Sequence, residues 1–224
     1  MEQYLTPKSK PYFDKINLIV KNISKIIESD IFIYGGFVRD LIRHYFEYNS
    51  DNMTDFIEPK DVDIWVASKH SLRSWDYDVR NLYKRKDELN ITLMGGAGGG
   101  APFSDREVYS LVKIIIDNIN FDMNTNINDW SVYNDLSDFT VNNLSIDMNN
   151  NITQRTNTKY TVEEVITHIK DKSLICCVNH EKLHRYIHFF CDETKRYKLA
   201  LMTRLEKMEN KGYKIVYLSS IFSV

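Results

Sequence analysis

Ile33-Tyr34-Gly35-Gly36-Phe37-Val38-Arg39-Asp40 (IYGGFVRD) and Lys60 to Ser68 (KDVDIWVAS) are the stretches whose reading decides the fold. In the first, a short apolar run ends in a glycine pair and opens an amphipathic segment, which predicts strand, turn and helix. Such a turn brings backbone N–H groups and the positive end of a helix to a place where no β-carbon obstructs an anion. A turn without any ligand is the simpler alternative. In the second stretch, Asp61 and Asp63 alternate on a predicted strand and so share a face. Two such charges repel by about 1 kcal/mol even in water, unless a divalent cation lies between them. Oxygen-only, anionic ligands suit Mg²⁺, or Mn²⁺ in its place. A solvent-facing acidic pair is again the simpler alternative. Asp122, in NINFDMNT, is predicted on the second strand of a hairpin. If that strand lies beside DVDIWVA, three carboxylates converge, as two-metal phosphoryl transfer requires.

Outward from these stretches, residues 11–29 carry apolar residues at helical spacing, and the charged segment 71–89 also reads as helix. Gly95 to Pro102 (GGAGGGAP) holds five of the chain's eight glycines and is a flexible link by composition. It is foreign to the rest of the chain, and reads either as an engineered replacement of a longer loop or as a natural low-complexity loop. EVYSLVKIII and INFDMNT form a predicted antiparallel hairpin about Asp117-Asn118. From Thr161 the pattern becomes mainly helical, with Gly212 as a helix C-cap. The expected organisation is an α+β head over 1–155 and a helical neck over 156–224.

With 224 residues, 43% hydrophobic and 12% aromatic, the chain can bury a large core. Its formal charge of −2 excludes strong nonspecific nucleic-acid binding by overall charge, so a phosphate-bearing partner needs a local site. Three cysteines, Cys176, Cys177 and Cys191, fit neither a disulfide framework nor a CxxC clasp. With no apolar leader or membrane-length run, a cytoplasmic protein without membrane attachment is expected. His180, His184 and His188 recur every four residues, which fits a packed or solvated helix face better than a zinc site.

GGFVRD followed by DVDIWVAS resembles the head-domain signature of class II tRNA CCA-adding enzymes and bacterial poly(A) polymerases, within the DNA polymerase β-like nucleotidyltransferases. SDFTVNNLSID (Ser137 to Asp147) is similar to the family's R-R-D-F-T-I-N-A-L segment, and RLEKMENKGYKI (Arg204 to Ile215) is similar to its neck helix. The resemblance implies a mixed sheet of about five strands with flanking helices, followed by a short helical neck. It implies transfer of NMP from an NTP to an acceptor hydroxyl, such as an RNA 3′ end, with release of pyrophosphate. Asp61, Asp63 and Asp122 would be catalytic and hold Mg²⁺ or Mn²⁺. Gly35, Gly36, Arg39, Asp40, Asp138 and Asn142 would bind the nucleotide.

The sequence departs from the pattern in three places. Leu136 and Ser137 stand where the family has two arginines, which removes charge-assisted hydrogen bonds to the nucleotide. The base-reading E-D-x-x-R has only a loose counterpart near Asp192 to Arg196. No segment corresponds to the family's tRNA-gripping body and tail, which argues against CCA addition itself. The alternative expectation is a degenerate nucleotidyltransferase kept as a nucleotide- or RNA-binding module.

Overall fold

The fold was obtained as a computed structural model that describes residues 1–52, 54–59, 61–67, 80–87, 92–94, 109–126, 138–154, 160–177 and 193–217. The glycine-rich link, the histidine stripe, Cys191, Leu136, Ser137 and Asp192 lie outside these residues.

Helix α1 (Lys10–Ile27) begins with Pro11 in its first turn and stops at Glu28, which adopts the left-handed conformation (φ 54°) and returns its N–H to the Ser24 carbonyl. Its buried stripe, from Tyr12 and Phe13 through Ile16, Val20 and Ile23 to Ile27, faces the core. Strand β1 (Asp30–Tyr34) leads through Gly35 into helix α2 (Gly36–Glu47). Then follow β2 (Asp61–Ala67), β3 (Thr92–Met94), β4 (Tyr109–Ile116) and β5 (Ile119–Asn126). The chain continues through β6 (Leu144–Ile146) and β7 (Ile152–Gln154).

These strands form one mixed sheet in the order β3-β4-β5-β2-β1-β6-β7, seven strands instead of about five. The additions at its edges, β3 and β7, are three residues each, too short to show a period in sequence. β2 and β5 run parallel at the centre, and β1 pairs antiparallel to β2 on the other side. The β4–β5 hairpin turns at Asp117 and Asn118, both at positive φ (50° and 62°), the geometry of a tight primed turn.

Beyond the sheet lie helix α3 (Val162–Lys170), strand β8 (Ser173–Ile175), helix α4 (Glu193–Asn210) and strand β9 (Lys214–Tyr217). A full capping box starts α3: Thr161 accepts from the Glu164 N–H and Glu164 accepts from the Thr161 N–H. The mainly helical reading of this region missed the β8–β9 pair, which is parallel and joins Leu174 to Ile215. Gly212 sits at φ 84° just past α4, in the expected C-cap position. Val165, Ile169, Leu174, Leu205 and Met208 belong to the same buried cluster as Phe37, Val38 and Leu41 of α2. Among the described residues, no helix is long and apolar enough to cross a membrane.

Candidate active site

The pleat of β2 separates two environments. Val62, Ile64 and Val66 are fully buried on the core face, while Asp61, Asp63 and Trp65 point to the other. Parallel pairing then places Asn120 beside Asp61, Asp122 beside Asp63 and Asn124 beside Trp65. Antiparallel pairing sets Tyr34 beside Asp63 from the other side. The hydrophobic alternation of β2 thus fixes the acidic residues on one surface, since a one-residue slip would bury them.

Neighbouring strands lie ~4.8 Å apart and alternate residues of one strand ~6.6 Å apart, so the three aspartates occupy adjacent positions of one patch. Asp61 accepts a hydrogen bond from Asn120 Nδ2 (2.9 Å). Asp122 has the Lys113 ammonium at 3.6 Å. Asp61 is exposed, and Asp63 and Asp122 are half-buried. Among the described residues, no group of three or more His, Cys, Asp or Glu side chains is arranged to hold a metal ion. The backbone brings the trio together, then, but the side chains as they stand do not form a cage. Their chemistry, anionic oxygen at partly solvated positions, fits Mg²⁺ or Mn²⁺ and no softer metal.

Gly35 meets this patch from β1. Its φ of 71° lies in the left-handed region, and a β-carbon there would sit 3.2 Å from Asp63 Oδ2. The Gly35 N–H is directed to the Leu144 carbonyl (3.3 Å). The first helical hydrogen bond of α2 runs from the Arg39 N–H to the Gly35 carbonyl, so the N–H groups of Gly36, Phe37 and Val38 have no acceptor within the helix. Gly36, Phe37, Asp61 and Asp63 line one end of a cleft of about 670 Å³ that continues along α2 to the end of α4.

The remaining residues expected to bind nucleotide form a chain of polar contacts, largely buried. Arg39, 6% exposed, donates from Nε to Asp40 (2.8 Å) and from Nη1 to Asn142 Oδ1 (2.7 Å). Asn142 Nδ2 donates to Asp138 Oδ1 (2.8 Å), which also accepts the Phe139 N–H (2.9 Å). Arg204 on α4 donates to Asp138 Oδ2 at 2.6 Å. At the other end, Lys211 donates to Asp40 Oδ2 at 2.8 Å. Burial alone would raise the Asp40 carboxyl, but Arg39 and Lys211 outweigh it and hold the group below its ordinary value. Burial also disfavours charge on Arg39, and Asp40 more than offsets it, so the guanidinium is held even more firmly protonated.

Arg204 and Lys211 were not among the predicted site residues, although both fall in the segment that resembles the neck helix. The signal that could have found them is buried-charge balance. Arg39 alone cannot balance the two largely buried carboxylates of Asp40 and Asp138, and the segment from α4 to Gly212 supplies two further cations, Arg204 and Lys211.

No family model matches this chain, and no curated protein matches it. Solved structures do. The Thermotoga maritima CCA-adding enzyme complexed with tRNA is similar over 96% of this chain and 42% of that chain, with TM-score 0.56 and 16% identity. A CCA-adding enzyme complexed with CTP is similar over the same shares, with TM-score 0.53 and 16% identity. The chain therefore shares the fold of these CCA-adding enzymes. It spans less than half the length of either structure.

Proposed function

We propose that the protein is a metal-dependent nucleotidyltransferase that moves NMP from an NTP to an acceptor hydroxyl, an RNA 3′ end being the favoured acceptor class, with release of pyrophosphate. The observation that carries this reading is the register of Asp63 against Asp122, with Asp61 two residues along and the Gly35 turn so close that an added β-carbon would crowd Asp63 at 3.2 Å. Asp61, Asp63 and Asp122 are the residues that would hold divalent ions. When bound, such ions neutralise the triphosphate and lower the pKa of the attacking hydroxyl. The chain's own part is positional. The free first-turn N–H groups of α2 would accept phosphate oxygens, helped by the positive end of the helix. Gly35 keeps side-chain bulk out of the gap between that turn and Asp63. The domain boundary near residue 155, the roles of individual residues and a cytoplasmic location belong to the same proposal.

The polar chain from Arg204 to Lys211 favours a second reading. Arg39, Asp138 and Asn142 are engaged with one another, so their role would be to position α2 and the 138–142 turn. A protein in which only this framework functions would be a nucleotide- or RNA-binding module derived from a transferase.

The test is incubation with Mg²⁺ or Mn²⁺, each labelled NTP in turn and a mixture of short RNAs, with pyrophosphate release measured alongside. Incorporation that disappears in the Asp61→Ala/Asp63→Ala variant supports the transferase. If no NTP is incorporated and no pyrophosphate appears with any acceptor, the binding-module reading replaces it.

A further inference from the structure

The end of the cleft far from Asp61 and Asp63 is cationic. Arg39, Arg43, Lys207 and Lys211 line it, opposed by Asp40, Glu47 and Asp55; Glu47 is already paired with Lys172 at 2.9 Å and Asp55 with Lys8 at 2.5 Å. In a chain of net charge −2, this is a local excess of positive charge on a concave surface.

Several donors here lack acceptors. Arg43 Nε is buried without a hydrogen-bond partner; its ion pair with Glu47 is long, 3.8 Å, beyond hydrogen-bonding distance. Its Nη1 has only a long contact, 3.5 Å, to the Lys211 carbonyl. The Lys207 side chain makes no ion pair or hydrogen bond with any described residue, yet it faces the cleft. Like charges crowd together as well: burial, then Arg39 and Arg43, push the Lys211 ammonium below its ordinary pKa despite Asp40. Buried donors without acceptors are uncommon in native proteins and call for a partner.

We infer that Arg43, Lys207 and Lys211 form a phosphate-binding wall for the backbone of a single-stranded polynucleotide. The choice of a polynucleotide over a free anion rests on the transferase reading above. Arg43 is seven residues beyond Gly36 on α2, ~10 Å along the helix axis. A strand that presents its 3′ hydroxyl to the acidic patch therefore carries an earlier backbone phosphate along the helix toward Arg43. The incoming triphosphate stays at the glycine end. Arg43 presents a planar fork suited to phosphate oxygens, and Lys207 a mobile point charge. At the opening, Ile57 is 84% exposed and lines the same cleft, an apolar surface for an unstacked base.

The test measures binding of a 5′-fluorescein-labelled oligo(A) RNA by anisotropy and of Mg-ATP by calorimetry. The proteins are wild type, Lys207→Gln and Arg43→Gln/Lys207→Gln. Lys207 is exposed and unpartnered among the described residues, so the single variant keeps the fold even if the double variant does not. The expected result is a loss of about 3- to 10-fold in RNA affinity for Lys207→Gln, with ATP affinity unchanged. The slope of log K against log salt should fall by about 0.7, the value for one single-strand phosphate contact. RNA affinity unchanged in Lys207→Gln would overturn the inference, as would a wild type that binds no RNA. ATP affinity lost in parallel would also overturn it, since the wall would then serve the incoming nucleotide. The transferase reading fails separately: RNA binding that depends on Lys207, in a protein that incorporates no NTP, keeps the wall and removes the enzyme.

Discussion

Asp63 on β2 and Asp122 on β5 stand side by side on one rung of the parallel ladder, with Asp61 on the same face. Like charges at that spacing oppose folding by about 1 kcal/mol. Asp63→Asn should therefore hold or raise the melting temperature in metal-free buffer. Millimolar Mg²⁺ should raise the wild-type melting temperature and leave the variant's unchanged. Scanning fluorimetry with and without EDTA reads both effects.

The two glycines should differ sharply on substitution. In Gly35→Ala the new β-carbon needs an unfavourable positive φ and lies 3.2 Å from the Asp63 carboxylate. A cost of about 1–3 kcal/mol is expected from such backbone strain. In Gly36→Ala the nearest atom is Arg39 Nη2 at 3.4 Å, an ordinary contact, and the position is already helical. Its stability should hold or rise slightly. Urea unfolding of the two variants would show the contrast, and equal costs would contradict this account of the turn.

Asp40 ties Arg39 to Lys211, and 15% of its side chain is exposed. Asp40→Asn leaves both cations poorly compensated, so a loss of roughly 3–5 kcal/mol is expected. The wild-type carboxyl is held below its ordinary value in the fold. Its contribution is therefore complete above the unfolded value, about 3.9, and disappears as pH falls through the lower folded value. The stability gap between wild type and Asp40→Asn should be constant near neutrality and narrow below pH ~4, as followed by circular dichroism melts across pH.

Arg204 reaches the buried Asp138 carboxylate from α4, with 46% of the arginine side chain exposed. Arg204→Met should cost about 2 kcal/mol, less than a fully buried pair because solvent screens the arginine. Asp138→Asn in that background should recover part of the loss, since the carboxamide oxygen can still accept from Asn142 and Phe139. A double-mutant cycle by chemical denaturation gives the coupling, and a coupling near zero would show that the contact does not hold α4 in place.

Much of the patch's placement was legible because it depends on short-range pattern. Strict alternation in DVDIWVA puts the acids on one face, and the Asp117-Asn118 turn makes β5 the partner of β4. The glycine pair marks where β1 gives way to α2, and Gly212 marks the end of α4. What sequence reading missed depends on contacts far apart in the chain. β8 and β9 are a few residues each, and neither has a local reason to be extended except the other. The family resemblance implies nucleotide contacts for Arg39, Asp138 and Asn142, and in the fold these three also bond to one another. Only the folded chain shows that Arg204 reaches Asp138 and that Lys211 reaches Asp40.

The span between Asp40 and Lys211, 171 positions, also bears on how the protein is made. At ribosomal rates of 5–20 residues per second, Asp40 is synthesised roughly 10–30 seconds before the lysine that neutralises its second oxygen. The nascent sheet can assemble in that interval, but α2 has no α4 against it. The emerging chain passes through a stage in which the apolar seat for Leu205 and Met208 is open, and it closes only when α4 arrives.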